Sequence, residues 1–214
     1  MKNYSLGADE EIAAYVGRTF EPEDAVLREV RERSGREGLP DIHLSAMDAR
    51  HLEVLARASK ARRAVEIGTL GGYSGIALLR GMGPDGRLDT FEIDPHHAEV
   101  ARESFRKAGV ERQATLHVGP AVERLREIQG SVDLVFIDAD KESYAAYLDW
   151  TEEHLAVGGV VIGDNTFAFG EIVRGQDAGP RALRAFNERL ARGGRFRATL
   201  FPTGEGMTVG VKVR

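Results

Sequence analysis

The chain is read as an α/β protein, a Rossmann-like, doubly wound, mostly parallel sheet with a C-terminal antiparallel hairpin and an N-terminal helical cap. Three observations predict this. Short apolar runs alternate strictly with helix-period segments from Ala64 to Gly163, a pattern that calls for right-handed crossovers and a sheet covered on both faces. Two of those runs stop abruptly in polar oxygens: Val132 to Ile137 runs into Asp138-Ala139-Asp140-Lys141, and Val160 to Gly163 runs into Asp164-Asn165. The carboxyl ends of strands are where ligands bind in such sheets. Finally, Phe196 to Phe201 and Met207 to Val213 are separated only by Pro202-Thr203-Gly204-Glu205-Gly206, too short a link for a helical crossover, so these two strands pair as a hairpin.

Composition bounds the rest. With 214 residues, of which 42% are hydrophobic, the natural expectation is one domain, 1–214, built as a helical cap over 1–60 and a sheet core over 61–214. Lys and Arg number 29 against 34 Asp and Glu, for a formal charge of -5, and no basic run stands out; a nucleic-acid partner is not expected. The chain has no cysteine, which rules out disulfides, thiolate metal sites and cysteine nucleophiles. No apolar stretch has spanning length and no cationic leader opens the chain at Met1-Lys2-Asn3-Tyr4, so no membrane partner and a cytoplasmic location are expected.

The elements follow in order. Pro22 opens a helix through Ala25, Val26, Leu27 and Val30, Gly35 to Pro40 breaks the chain, and Asp48 opens a second helix through Leu52, Val54 and Leu55. Apolar runs at 64–67, 88–92, 114–118, 134–138 and 159–163 are the strands, and the segments 75–80, 95–108, 121–128 and 144–154 are the helices between them. A polar loop over 175–179 precedes a last helix at 181–190 and the hairpin. The adjacent His96 and His97 follow Pro95 at a helix start, where neighbouring side chains diverge; a solvated turn fits them better than a ligand pair.

Two stretches carry chemistry. Glu66-Ile67-Gly68-Thr69-Leu70-Gly71-Gly72-Tyr73-Ser74 is a strand end, a glycine-rich turn and a helix start. It lacks the Gly-x-Gly-x-x-Gly spacing of a pyrophosphate cradle, and Glu66 would repel phosphate and welcome an ammonium. The next strand ends in Glu92, placed to accept both hydroxyls of a ribose. A ligand with a ribose, a cationic amino-acid end and no phosphate is S-adenosylmethionine. At the second stretch, Asp138, Asp164 and Asn165 supply half of an octahedral oxygen shell for Mg²⁺, Ca²⁺ or Mn²⁺. The plainer alternative is that each Asp caps the next helix. Lys141 beside them is either a proton acceptor or a solvated ion pair with Asp140 or Glu142. Tyr144, Tyr147 and Thr151 share a helical face with Trp150 beside it, a packing stripe. A nicotinamide-dependent oxidoreductase and a non-catalytic cofactor-binding regulator are the rival classes.

Taken together, Glu66 to Ser74, Phe136-Ile137-Asp138-Ala139-Asp140-Lys141 with Tyr144 and Tyr147, Asp164-Asn165, and Phe201-Pro202-Thr203-Gly204-Glu205-Gly206-Met207 resemble the cation-dependent O-methyltransferases, among them the caffeoyl-CoA and catechol enzymes. The resemblance runs from Leu39-Pro40 to the carboxyl terminus. It implies that Glu66, Gly68, Thr69 and Ser74 hold the methionine moiety, that Glu92 binds the ribose, and that Ala121 in Gly119-Pro120-Ala121 meets the adenine through its backbone. Asp140 matches a cofactor contact, and the backbone at Leu44 and Ser45 would close over the cofactor. Asp138, Asp164 and Asn165 match the metal ligands, and Lys141 falls where catechol-type members keep their general base, so Asp138 and Lys141 are the expected catalytic pair. One position departs: the plant phenylpropanoid enzymes carry an asparagine four residues beyond the metal Asn, and here that residue is Phe169. The expected reaction is therefore methyl transfer to a small vicinal-hydroxyl, catechol-type acceptor, with Phe167 and Phe169 either walling its pocket or packed in the core. A homodimer is expected, with Tyr4, Leu6, Ile12, Tyr15 and Val16 as apolar surface.

Overall fold

The computed structural model describes residues 10–20 and 23–214. Its elements are α1 (Glu10–Phe20), α2 (Ala25–Arg36), α3 (Ala46–Ala58), β1 (Arg63–Ile67), α4 (Tyr73–Met82), β2 (Arg87–Glu92), α5 (Pro95–Lys107), β3 (Ala114–Val118), α6 (Ala121–Arg124), β4 (Val132–Ile137), α7 (Tyr144–His154), β5 (Leu155–Gly163), α8 (Ala178–Arg192), β6 (Phe196–Phe201) and β7 (Met207–Lys212). The strands follow the order β3-β2-β1-β4-β5-β7-β6 in one sheet. Among the described residues no helix is long and apolar enough to cross a membrane.

Two units can be separated, residues 17–128 and residues 129–214 with the start of α1. In the first, β1 pairs with β2 in parallel from Arg63↔Arg87 to Ile67↔Phe91, and β2 with β3 from Leu88↔Ala114 to Glu92↔Val118. The helices begin where side chains satisfy their orphan N–H groups. Asp24 caps α2 by accepting from Leu27 N at 2.9 Å, while Pro22 lies outside the described residues. Helix α3 starts earlier than Asp48: Ser45 is its cap, and Asp48, three residues on, closes a reciprocal pair in which Ser45 Oγ accepts from Asp48 N at 3.1 Å and donates to Asp48 Oδ2 at 2.7 Å. Asp94 caps α5 ahead of Pro95. Helix α4 starts at Tyr73 and not at Gly75, because Gly72 takes a left-handed φ of 87° and turns the chain into the helix. The helix expected over 121–128 is one short turn, α6, followed by a 3-10 turn over Leu125–Glu127; the tightening keeps Leu125 and Ile128 buried.

In the second unit β4 and β5 run in parallel, with Leu134↔Val160 through Ile137↔Gly163 in register and a register shift between Val132 and Leu134. Strand β5 begins at Leu155, ahead of the Gly159 expected from the apolar run. The predicted hairpin is present, and its second strand is the one that joins the sheet: β7 pairs antiparallel with β5 from Val160↔Val211 to Gly163↔Thr208, and with β6 from Phe196↔Lys212 to Phe201↔Met207. Tyr144, Tyr147, Leu148 and Thr151 form the buried face of α7, and Leu183, Phe186 and Leu190 that of α8. The buried Lys212 ammonium donates to Glu152 O at 2.7 Å and Leu155 O at 2.6 Å, satisfying carbonyls at the end of α7.

Candidate active site

The glycine-rich turn is built around Glu92. Its Oε2 accepts from the backbone N–H of Thr69 at 3.3 Å and of Leu70 at 2.7 Å, its Oε1 accepts from Asp94 N at 3.0 Å, and His97 Nδ1 stands 3.6 Å from Oε1. Each carboxylate oxygen has more than one lone pair, so an anchored Glu92 still offers acceptors to ribose hydroxyls. The same bonds commit two N–H groups of the turn, leaving a pyrophosphate poorly served there. Gly119 N donates to Glu92 O at 2.8 Å, which ties the loop before Ala121 to the same acid.

Glu66 lies beneath the turn and not on its surface. It is wholly buried, and its Oε2 accepts from Thr90 Oγ1 at 2.6 Å, which in turn stands 2.5 Å from Thr69 Oγ1. A Cβ at Gly75 would come within 2.9 Å of Glu66 Oε2, so this approach requires glycine. Over the turn, Leu44 is buried and the His43 ring meets the Tyr73 ring edge-on, centroids 6.0 Å apart. Both His43 ring nitrogens are buried with no hydrogen-bond partner among the described residues. Burial, and next the Arg31 guanidinium, hold this imidazole below its ordinary pKa, with Asp41 opposing. The Tyr73 hydroxyl donates to Glu23 Oε1 at 2.8 Å and accepts from Arg31 at 3.0 Å. Burial, then Glu23, push this phenol up to about 12, so it stays protonated.

At the second stretch, Ile137 and Gly163 are in register, so Asp138 and Asp164 are the next residues of two neighbouring parallel strands, and Asp164 N donates to Ile137 O at 3.0 Å. Tyr144 buckles these ends together. Its fully buried hydroxyl shares its proton between Ile137 O at 3.0 Å and Asp164 O at 2.9 Å, and accepts from Lys141 Nζ at 3.2 Å. Lys141 also donates to Asp138 Oδ1 at 3.1 Å; the ion pair expected with Asp140 or Glu142 is replaced by one with Asp138, because the turn over 141–143 brings the lysine back across it. Asp140 does cap that turn, accepting from Ser143 N at 3.2 Å through Oδ2, and its Oδ1 accepts from Tyr147 at 2.7 Å. Burial first, and then the neighbouring acids, raise both phenols well above the ordinary tyrosine value, so Tyr144 and Tyr147 remain donors. Tyr147 therefore does more than pack, while Trp150 is only half-buried and stacks on His154 at 4.4 Å.

Beyond Asp164 the backbone is strained. Asn165, Ala168 and Phe169 have φ of 53°, 52° and 53°, a region costing about 1–2 kcal/mol per residue with a Cβ, less for Asn. Asn165 Nδ2 donates to Asp164 Oδ2 at 2.9 Å, which leaves the amide oxygen as the acceptor of that side chain. Thr166 N and Phe167 N donate to Gly206 O at 3.0 Å and Glu205 O at 2.8 Å, pinning the loop to the hairpin turn. Phe169 is 66% exposed and Phe167 half-buried against Gly206; neither is a core residue.

These contacts test the implied ligands. For the cofactor, the acids at two strand ends and the buried, unpartnered imidazole of His43 beside Tyr73 fit a polar ligand with hydroxyls and a cationic end. For a hard cation the donors are all oxygen, two carboxylates and an amide, which fits Mg²⁺, Ca²⁺ or Mn²⁺ better than a softer metal. Among the described residues no three His, Asp or Glu side chains gather as a metal site; the set here has two such groups and Asn165. Thr90, Tyr144 and His43 escaped sequence reasoning as site residues. The one signal for Thr90 was a hydroxyl residue inside an otherwise apolar strand, two positions before Glu92.

A family model described as O-methyltransferase matches residues 15–213. Catechol O-methyltransferase of Mycobacterium tuberculosis is 42% identical over 168 residues, 78% of this chain and 76% of that protein. Among solved structures, an O-methyltransferase of Bacillus cereus in complex with SAH is 32% identical, with a TM-score of 0.87 over 94% of this chain and 97% of that one. An O-methyltransferase of Streptomyces achromogenes involved in tomaymycin synthesis, in complex with SAM, is 33% identical, with a TM-score of 0.88 over 95% and 96%. With the turn, the strand-end acids and these matches in agreement, the chain belongs to the O-methyltransferase family, enzymes of the caffeoyl-CoA and catechol O-methyltransferase type that depend on S-adenosylmethionine.

Proposed function

We propose that the enzyme methylates a phenolic oxygen of a small vicinal-hydroxyl, catechol-type acceptor and needs a divalent cation to do so. The observation that carries this reading is the oxygen set at the ends of β4 and β5: Asp138 and Asp164 held side by side by Tyr144, with Asn165 held in a left-handed conformation. When bound, S-adenosylmethionine supplies the electrophilic methyl group and a cation at Asp138, Asp164 and Asn165 supplies Lewis acidity toward vicinal oxygens. The carbon–sulfur bond breaks as the carbon–oxygen bond forms, giving a methyl ether and S-adenosylhomocysteine, and the hydroxyl proton leaves.

The residues divide this work. Glu92 accepts the ribose hydroxyls, Thr69 with Gly68 and Ser74 receives the amino-acid end with the charge of Glu66 behind it beneath the turn, Asp140 and the backbone of Leu44 and Ala121 complete the cofactor contacts, and Lys141 takes the acceptor's proton. Phe169, exposed and apolar where plant relatives use a polar acceptor contact, favours a bare aromatic ring over a CoA thioester. The catechol-type relative from Mycobacterium tuberculosis supports the same acceptor class. We also assign a homodimer, with the exposed Ile12 and Tyr15 of α1 as part of its surface; Tyr4 and Leu6 lie outside the described residues. The deciding assay is turnover of a panel of catechols and of caffeoyl-CoA, with and without Mg²⁺ after exhaustive chelation. Full turnover without cation would sink the metal reading, and a higher kcat/KM for caffeoyl-CoA than for any free catechol would sink the acceptor class.

A further inference from the structure

We infer that Thr90 is a positioning residue that sets the turn to receive an ammonium group, through a directed ladder of hydroxyls from Thr69 to Thr90 to the buried Glu66. Thr90 pairs directly with Glu66 across β1 and β2 and shares its face of β2 with Glu92. Its single proton is committed to Glu66 Oε2 at 2.6 Å, so in the 2.5 Å contact with Thr69 it must accept. Thr69 is thereby held by both of its donors, its N–H by Glu92 and its O–H by Thr90. What Thr69 Oγ1 retains toward a ligand is acceptor capacity alone, at the end of a chain anchored on a carboxylate. Such a pole attracts an N–H donor with positive charge and disfavours a carboxylate or a phosphate.

Packing does not explain this hydroxyl. Valine fills the same volume and is at least as favourable in a buried strand, whereas two hydroxyls and a carboxylate carry a desolvation cost that their mutual bonds must offset. The inference rests on the cofactor reading of Glu66 and Thr69 above and adds Thr90, the polarity of the ladder, and the ligand group it selects.

The test is calorimetric binding of S-adenosylhomocysteine and of its analogue lacking the α-amino group to the wild type, Thr90→Val, Thr90→Ser and Glu66→Gln, with folding checked by melting. Thr90→Val is expected to weaken S-adenosylhomocysteine by roughly tenfold, the loss of one hydrogen bond to a charged network, to leave the deaminated analogue nearly unchanged, and to be restored by Thr90→Ser. Equal weakening of both ligands would reduce Thr90 to a structural role and overturn the inference. No weakening by Thr90→Val, with a loss in Glu66→Gln, would overturn the ladder and keep the Glu66 site. No effect of either would remove Glu66 from the cofactor site as well. If Thr90→Val does not fold, Thr90→Ala removes the same hydroxyl without touching Thr69 and is read the same way.

Discussion

The unit of residues 17–128 and the unit of residues 129–214 satisfy their strand-end acids, buried or half-buried, differently. In the first, Glu92 and Glu66 are satisfied by backbone N–H groups and threonine hydroxyls, neutral donors built into strands and turn. In the second, Asp138 leans on the Lys141 ammonium and Asp164 on the Asn165 amide, side chains of the same short stretches, beside a loop with three non-glycine residues at positive φ. Neutral fixed donors leave the negative charge in place for a hydroxyl or ammonium ligand. Side-chain partners of this kind are the ones the proposed cation would displace. A strained backbone is the kind of feature found where a loop must hold a side chain against its local preference.

That contrast can be broken by mutation. The largest effect is expected for Asp138→Ala: loss of an outer partner of a metal site costs about 10–100-fold, so removing a proposed ligand should lower kcat by more than that, while the Kd for S-adenosylhomocysteine, measured by calorimetry, stays within about twofold of wild type because Asp138 is not among the proposed cofactor contacts. A parallel collapse of cofactor binding would overturn that assignment. Next, Glu92→Ala should weaken cofactor binding by roughly 1–3 kcal/mol and lower the melting temperature as well, because three N–H groups lose their acceptor; an unchanged Kd would remove Glu92 from the site. Tyr144→Phe should destabilise by about 1–3 kcal/mol, since the Asp164 carbonyl loses its hydroxyl donor and the Ile137 carbonyl keeps only Asp164 N, and should raise the Mg²⁺ concentration needed for half-maximal activity. Phe169→Ala should raise KM for a bulky catechol a few-fold, about the worth of partial loss of an apolar contact, with no change in the Mg²⁺ requirement; an unchanged KM across the catechol panel would take Phe169 out of the pocket wall.

The smallest effect concerns pH. His43 is held below its ordinary value of 6.5, by burial and by Arg31 against the opposing Asp41, so the unfolded chain binds a proton there more readily than the folded one. The stability this contributes is present above the unfolded value and lost as the pH falls through the folded one. The melting temperature should therefore drop less in His43→Gln than in the wild type on acidification below that value. Equal drops would mean that His43 does not report on the turn.

Much of this was legible beforehand because it depends on patterns that a chain carries locally. Strict alternation of apolar runs and helices predicts a parallel sheet, the short link at Pro202 to Gly206 predicts a hairpin, and Glu66, Glu92, Asp138 and Asp164 announce themselves as acids at the ends of apolar runs. The starts of α3 and α4 differ from those the sequence predicts because a cap is decided by backbone angles at Ser45 and Gly72, which residue type only biases. Partners on different elements left no local trace: Thr69 with Thr90, Tyr144 with the carbonyls of Ile137 and Asp164, His43 with Tyr73. Periodicity along one element determines which face is apolar and where the chain turns. Only tertiary packing, by bringing distant strands into register and removing water, decides which donor meets which acid, and so whether a carboxylate such as Glu66 lies on the surface of a turn or beneath it.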